Sequence, residues 1–352
     1  MKKKLIRLLS ALIALVALFA FAACSRGGGG GAAAARSGPE VTLVVSQHDP
    51  DASLPGQFLH QWAAAVHEAS NGRIEVQVNN GGTLASGSQS LGFTRDGVID
   101  MAWGLHAHYS GQFDLSDGLS LPYLPFKNSV HASQVAWDIW ENNNILQQDP
   151  GYAGLQVILI RANADAPIIT GSRRLNTAAD LSGMTIRSTA APIVNWLREL
   201  GATAQGSPIT ELFQLLHNGS FDGAITDWHA IRSFQLFEAA RFFADEELQY
   251  NTYWFVMNKG VYDRLSPENR AVIDRFSGPG ALEIMKTAWD DMKDDIIRTA
   301  TAQGCEVYEL PPAERQRLRA AADVSAELWR SSHGAPARDL YQAINAAIQR
   351  IN

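Results

Sequence analysis

The sequence predicts an α/β protein made of two lobes, each a mainly parallel sheet flanked by helices. Three observations carry this. From Val41 the chain alternates strand and helix patterns in the order β-α-β-α-β, which implies a parallel sheet with right-handed crossovers. A second set of strand and helix patterns begins near Leu155. Residues 41–352 also exceed what one hydrophobic core usually organises.

The first 24 residues read as a lipoprotein signal peptide. Lys2, Lys3, Lys4 and Arg7 form a basic start, and Leu8 to Ala23 is almost wholly apolar. That run is short for a membrane span and ends in small residues. Its end, "FAFAAC", resembles a lipobox with Cys24 as the lipidated residue, although Phe21 stands where leucine is usual. The alternative is an ordinary secretory signal with an incidental cysteine. Residues 25–40, "SRGGGGGAAAARSGPE", cannot build a core and read as a flexible Gly/Ala linker reaching about 22 Å. Cys305 is the only other cysteine, so no internal disulfide is expected. Net charge is −7, with no basic run beyond the signal, which argues against nucleic-acid binding. No second apolar run is long enough to span a bilayer.

In chain order, "VTLVVS" from Val41 is a compact strand. Leu59, Trp62 and Val66 then recur at helical spacing until Asn71-Gly72 ends the helix. "RIEVQV" alternates, with Ile74, Val76 and Val78 on one face, and "VIDMAW" is the third strand. In the second set, "LQVILI", "PIITGS", "MTIRS" and "FDGAIT" read as strands, and "ITELFQLLHNG" as a helix closed by Asn218-Gly219. "YWFVMNKG" is a further strand, and Ser266-Pro267-Glu268 a helix start. Leu282, Met285, Trp289, Met292 and Ile296 predict one long helix with an apolar stripe, and the tail from Pro312 is helical.

Ligands of such sheets sit beyond the carboxyl ends of the strands. That rule points to His48, to "NNGG", to Trp103–His108, and to Thr226, Asp227 and Trp228. Asp227 could equally cap the next helix, and Trp228 could pack a core. Arg187 closes "MTIR" and is either a ligand anchor or half of a structural ion pair with Asp180 or Glu211. His106 and His108, at i and i+2 on a strand, could ligate a metal, but no third ligand is apparent. There is no P-loop and no Gly-x-Ser-x-Gly elbow, so catalysis has no motif behind it.

The ordered segments "VTLVVSQHDP", "ASNGRIEVQV", "DGVIDMAW", "LPYLPF", "NTAADLSGMTIR", "LGATAQGSPITELFQLLHNGSFDG" and "VMNKGVYDRLSPENRAVI" carry a resemblance that covers nearly the whole mature chain. The chain resembles the solute-binding subunits of tripartite ATP-independent periplasmic (TRAP) transporters, of the C4-dicarboxylate-binding type. The resemblance implies a two-lobed periplasmic binding protein of the Venus-flytrap kind, with ligand between the lobes and no enzymatic activity. Residues 41–163 and 253–290 are expected in lobe I, and 164–252 and 291–352 in lobe II. A long helix, of which Leu282–Ile296 is part, spans both. The partners implied are a small carboxylate and the TRAP membrane permease, the protein being a monomer in the periplasm, attached to a membrane only by its lipid, with no cofactor.

Arg187 matches the arginine that pairs with the ligand carboxylate in relatives. His48 falls at a polar contact position, Ile209 where a pocket aromatic is common, and Thr226 where asparagine is common. Where many relatives have a second arginine, the chain has Ala166-Pro167, with Arg161 about a strand-length away. "DGAITD" replaces the more polar "DGQENP". Trp103, Trp228 and Trp254 are therefore expected to form an aromatic wall, with His106 beside it. The ligand expected is a monocarboxylate with an apolar or aromatic body. Asp227 leaves room for a cation beside it. The competing readings are a binding protein of an ATP-driven importer and a lipid-anchored periplasmic metal-dependent enzyme using His106 and His108.

Overall fold

The computed structural model describes residues 38–351. The expected signal peptide, Cys24 and linker residues 25–37 lie outside the described residues.

The chain begins with β1 (Val41–Ser46), α1 (Leu54–Ala69), β2 (Ile74–Asn79), α2 (Ser90–Arg95), β3 (Met101–Leu105) and α3 (Ser129–Asn142). Ser53 caps α1 by accepting from the Gly56 amide, and Pro55 sits in its first turn. Next come β4 (Leu155–Asp165), β5 (Ile168–Thr170), β6 (Thr185–Arg187), α4 (Ala191–Glu199), β7 (Thr203–Gln205), α5 (Ile209–His217), β8 (Gly223–Ile225), α6 (Trp228–Ser233) and β9 (Phe242–Ala244). The chain ends with β10 (Tyr250–Asn258), α7 (Lys259–Arg264), α8 (Pro267–Arg275), α9 (Pro279–Leu282), α10 (Ala288–Ala302), β11 (Glu306–Tyr308) and α11 (Pro312–Arg350).

Two sheets result. The first runs β2-β1-β3-β10-β4 and the second β11-β9-β5-β8-β6-β7. Both are mixed rather than mainly parallel. β10 lies antiparallel to β3 and β4, and β5 antiparallel to β8 and β9. The reason is connectivity: β4 leads from the first sheet into β5 of the second, and β10 returns from β9, without a full helical crossover.

Each sheet is covered on both faces. Alternation sends Leu43 and Val45 of β1 to one side, with α1 and α8, while Val44 packs against the separate cluster on the other side. β10 divides likewise: Tyr253, Phe255 and Met257 join the first cluster, Trp254 and Val256 the second. In the second sheet, Ile186, Trp196 and Leu318 pack one face, and Leu212, Trp228, Phe243 and Ile296 the other.

The tail departs from expectation. The stripe Leu282–Ile296 is not one helix: α9 stops at Leu282, and Met285 takes a left-handed φ of 54° before α10 starts at Ala288. The longest helix is instead α11, 39 residues with non-helical Gly334 inside it (φ 70°, ψ −143°). Its first part packs on α4, where Leu318 accepts from the Trp196 indole at 2.9 Å. Its later part, from Trp329, joins the core of the first sheet, so residues 291–352 do not all belong with the second.

Candidate ligand-binding site

The carboxyl ends of β1 and β3 in one sheet and of β6 and β8 in the other face a common cavity of about 450 Å³, including space open to solvent. It continues into a wider opening lined by His48, Gly87, His108, Thr189, Ser207 and Ile209. Arg187, Ile209, Thr226 and Asp227 line the inner cavity together with His48.

Arg187 owes its place to register. It is the last residue of β6, opposite Gln205 of β7 and Ala224 of β8. It is 5% exposed, and its Nε and Nη2 both donate to the Ser207 carbonyl, at 3.3 and 3.0 Å. No ion pair engages it among the described residues; Asp180 is held instead by Arg173 and by the amides of Asn176 and Thr177. Burial pulls its pKa down to about 10, against the weaker pull of Tyr253 and Asp227, so it stays charged at neutral pH. A buried guanidinium without a counterion is costly unless an anion arrives.

His48 and Asp49 follow β1 in a loop pinned by Gln47, whose amide donates to the Asp49 carbonyl (2.7 Å) and to Asn80 Oδ1 (2.8 Å). The His48 and His108 rings meet edge to face at 5.1 Å. Burial, then His48 and Arg187, hold the His108 pKa well below its ordinary value, so this ring is neutral at pH 7. Asp227 caps α6 by accepting from the Ala230 amide (2.9 Å) and also accepts from Asn163 (3.2 Å) and Asn251 (3.4 Å). It thus ties α6 to β4 and β10. Beside it, His229 is 3% exposed with neither ring nitrogen hydrogen-bonded in the protein. His48 Nδ1 and Asp49 Oδ2 are likewise buried without partners. Such groups normally find partners, and their gathering in one cavity marks a surface prepared for a polar ligand.

Four expected contacts lie elsewhere. Trp103 is fully buried beside Phe58 and stacked on Tyr253 at 5.7 Å. Trp254 points to the opposite face of β10, over Gly104, where an added Cβ would come within 2.3 Å of its ring. Trp228 stacks on Phe243 at 6.0 Å in the second sheet's core. His106 is not on a strand but opens a 3-10 turn, His106–His108. Its Nδ1 pairs with the Thr252 carbonyl (2.9 Å) and its Nε2 with the Tyr152 hydroxyl (2.6 Å). Burial lowers its pKa to about 4. The turn separates His106 from His108, and among the described residues no group of three or more His, Cys, Asp or Glu is placed to hold a metal ion.

Sequence reasoning passed over Asp49, Gln249, Asn251, Tyr253 and His229, which all line the cavity. Asp49 and His229 were within reach, being neighbours of His48 and Trp228 at strand ends. The β10 residues were not, because only the antiparallel register of β10 brings them there.

Two sheets meeting at a buried polar cavity define a two-lobed solute-binding protein. The chain belongs to the DctP family, bacterial extracellular solute-binding protein family 7, whose model matches residues 45–331. The 2,3-diketo-L-gulonate-binding periplasmic protein YiaO of Escherichia coli K12 is 24% identical over 244 residues, 69% of this chain and 73% of its own length. A TRAP solute-binding protein from a marine metagenome, specific for aromatic acid ligands and solved with 3-hydroxybenzoate, is similar with a TM-score of 0.83 and 25% identity, covering 89% of this chain and 99% of its own. A TRAP solute-binding protein from Rhodoferax ferrireducens T118, solved with copurified benzoate, gives a TM-score of 0.81 at 25% identity over 88% and 98%. This chain is an extracytoplasmic solute-binding protein of the TRAP type and not an enzyme, which sets aside the ATP-driven and metalloenzyme readings.

Proposed function

We propose that the protein captures an organic monocarboxylate with an aromatic body and presents it to the membrane permease of a TRAP transporter. One observation carries this reading: Arg187 is a buried, charged fork at the cavity with no counterion of its own. A carboxylate can accept from it in bidentate fashion. Leu105, Ile209, Ile225 and Phe234 supply apolar surface for a ring in place of the tryptophan wall. The marine and Rhodoferax proteins, at 25% identity, hold aromatic acids. Arg187 is the one arginine lining the cavity, since Arg161 borders a different one. A dicarboxylate would leave its second charge against Asp49 and Asp227.

Arg187 does not account for affinity alone. A hydrogen bond to a charged group contributes about 1.5–3 kcal/mol, whereas micromolar binding requires about 8 kcal/mol. Apolar enclosure supplies much of the rest. Closure follows if the ligand makes contacts with both lobes that it lacks in the open form. In this reading residues 41–163 and 253–290 move as one lobe, and 164–252 as the other. The protein acts as a monomer tethered by a lipid on Cys24, a reading supported by the "FAFAAC" stretch.

Calorimetric titration with benzoate, 3-hydroxybenzoate, succinate and sialic acid tests the ligand class. The aromatic acids are expected to bind with one-to-one stoichiometry in the cleft. Binding of succinate or sialic acid alone would overturn the proposal. Lipid labelling of the expressed full chain, lost on Cys24→Ser, tests the anchor.

A further inference from the structure

A second arginine is buried without a counterion, in the first lobe and away from the cleft. Arg161, on β4, is 1% exposed. Its guanidinium carbon lies 3.6 Å from the centroid of the Trp289 ring, and its Nη2 donates to the Lys286 carbonyl at 3.3 Å. Its Nε and Nη1 have no hydrogen-bond partner in the protein. Asp290 is the acid that acts on it, yet that carboxylate accepts from the Ser129 amide and hydroxyl, both at 2.9 Å. Burial draws the Arg161 pKa down to about 9, which leaves it charged at neutral pH.

Arg161 borders a cavity of about 180 Å³ that shares no lining residue with the cleft. Its walls are Val130, Trp137, Pro279 and Leu282, from α3 and α9. The Trp137 indole N–H is also buried without a partner. The interior therefore offers donors and apolar surface. Its acids, Asp138, Glu141 and Glu283, include two already paired: Asp138 with Arg350, and Glu283 with Lys286 at 2.8 Å. A guanidinium that cannot shed its charge, next to unfilled apolar space, is the chemistry of an anion site. The surrounding acids repel a dianion but tolerate one charge neutralised by Arg161.

We propose that this cavity is a second ligand site, which takes a small monocarboxylate whose carboxylate meets Arg161 and whose apolar end rests on Trp137 and Leu282. The proposal is independent of the ligand in the cleft.

The experiment uses the full chain with Arg187→Ala, which removes the cleft anchor. Titrated with sodium benzoate at millimolar concentrations, this variant is expected to retain a weak site in addition to any residual binding in the weakened cleft. Adding Arg161→Met should weaken that site at least tenfold. Should that double variant fail to fold, Val130→Trp, at a half-buried position of the cavity wall, should block the same site. Crystals soaked in sodium bromide should show an anomalous peak beside Arg161. No residual benzoate heat in Arg187→Ala would overturn the proposal. So would residual heat unchanged by both Arg161→Met and Val130→Trp, or a bromide peak displaced by no carboxylate.

Discussion

Arg187 donates from both Nε and Nη2 to the carbonyl of Ser207, at 3.3 and 3.0 Å. One backbone oxygen twenty residues on thus aims the fork while leaving Nη1 and the second Nη2 proton for a bidentate carboxylate. Because Ser207 lies in the loop between β7 and α5, the aim of the guanidinium depends on β6 pairing with β7 in register. Truncating one partner of a buried charge pair costs about 2–5 kcal/mol. Arg187→Ala is therefore expected to weaken benzoate binding by about 30-fold or more while the fold persists. Arg187→Lys should weaken it too, since an ammonium cannot hold Ser207 and a carboxylate with the same planar geometry. Titration calorimetry with circular dichroism separates the two effects; unfolding of the alanine variant would mark Arg187 as structural.

His106 should behave in the opposite way. Both its nitrogens serve Thr252 and Tyr152 beside the first sheet. Replacing it with alanine leaves buried groups unpaired at about 1–3 kcal/mol each. His106→Ala is expected to lower the melting temperature by several degrees while benzoate affinity stays within about twofold. A large affinity loss at unchanged stability would return His106 to the site.

Asp227 combines both roles. Its carboxylate caps α6 and holds Asn163 and Asn251 from the two crossing strands. Loss of a cap costs about 0.5–2 kcal/mol. Asp227→Ala should destabilise by at least that and also weaken binding, because the crossing strands and His229 lose their common reference. Asp227→Asn should restore part of the stability. Chemical denaturation of both variants, alongside benzoate titration, checks this; binding unchanged in Asp227→Ala would refute it.

Lys293 on α10 bridges Asp165 at the end of β4 (2.9 Å) and Asp245 just after β9 (3.1 Å). Burial, then Asp165, pushes the Asp245 carboxyl up from its ordinary 3.8 to about 7. Burial alone would lower Lys293, but the two carboxylates outweigh it and hold its pKa above the ordinary value. A carboxyl raised by folding favours the protonated native state. Its contribution is full below about pH 4 and is lost as pH rises through about 7. The melting temperature of Asp245→Asn minus that of the natural chain should thus become more positive from pH 5 to pH 8. A flat or falling difference in a fluorescence melting series would contradict this.

Local chemistry was legible where it is local. Alternation and helical spacing disclosed β1, α1, β2, β3 and β10, and Ser266 caps α8 as its sequence implies. Strand ends led to Arg187, Thr226 and Asp227 without any coordinates. Three-residue strands such as β7, β9 and β11 have no readable period, and sequence alone passed over them. The break at Met285 was hidden by an apolar stripe that continues across it, since hydrophobic spacing reports which side is buried and not whether the helix is continuous.

The sequence by itself determined the alternating order, the two-lobed plan and the single arginine at the end of β6. The order follows from side-chain period and the arginine from its strand end, which neighbouring residues encode, while the two lobes follow from chain length and the family resemblance. Only the tertiary structure decided which face each aromatic takes. Trp228 follows the end of β8, while Trp103 and Trp254 sit in the middle of β3 and β10, yet each turns into a core. A tryptophan can satisfy either a cleft or a core, and the choice depends on what packs opposite, such as the bare backbone of Gly104 beneath Trp254. The same holds for Arg161: its charge is plain in the sequence, but its burial over Trp289 and its lack of a counterion arise from residues more than a hundred positions away.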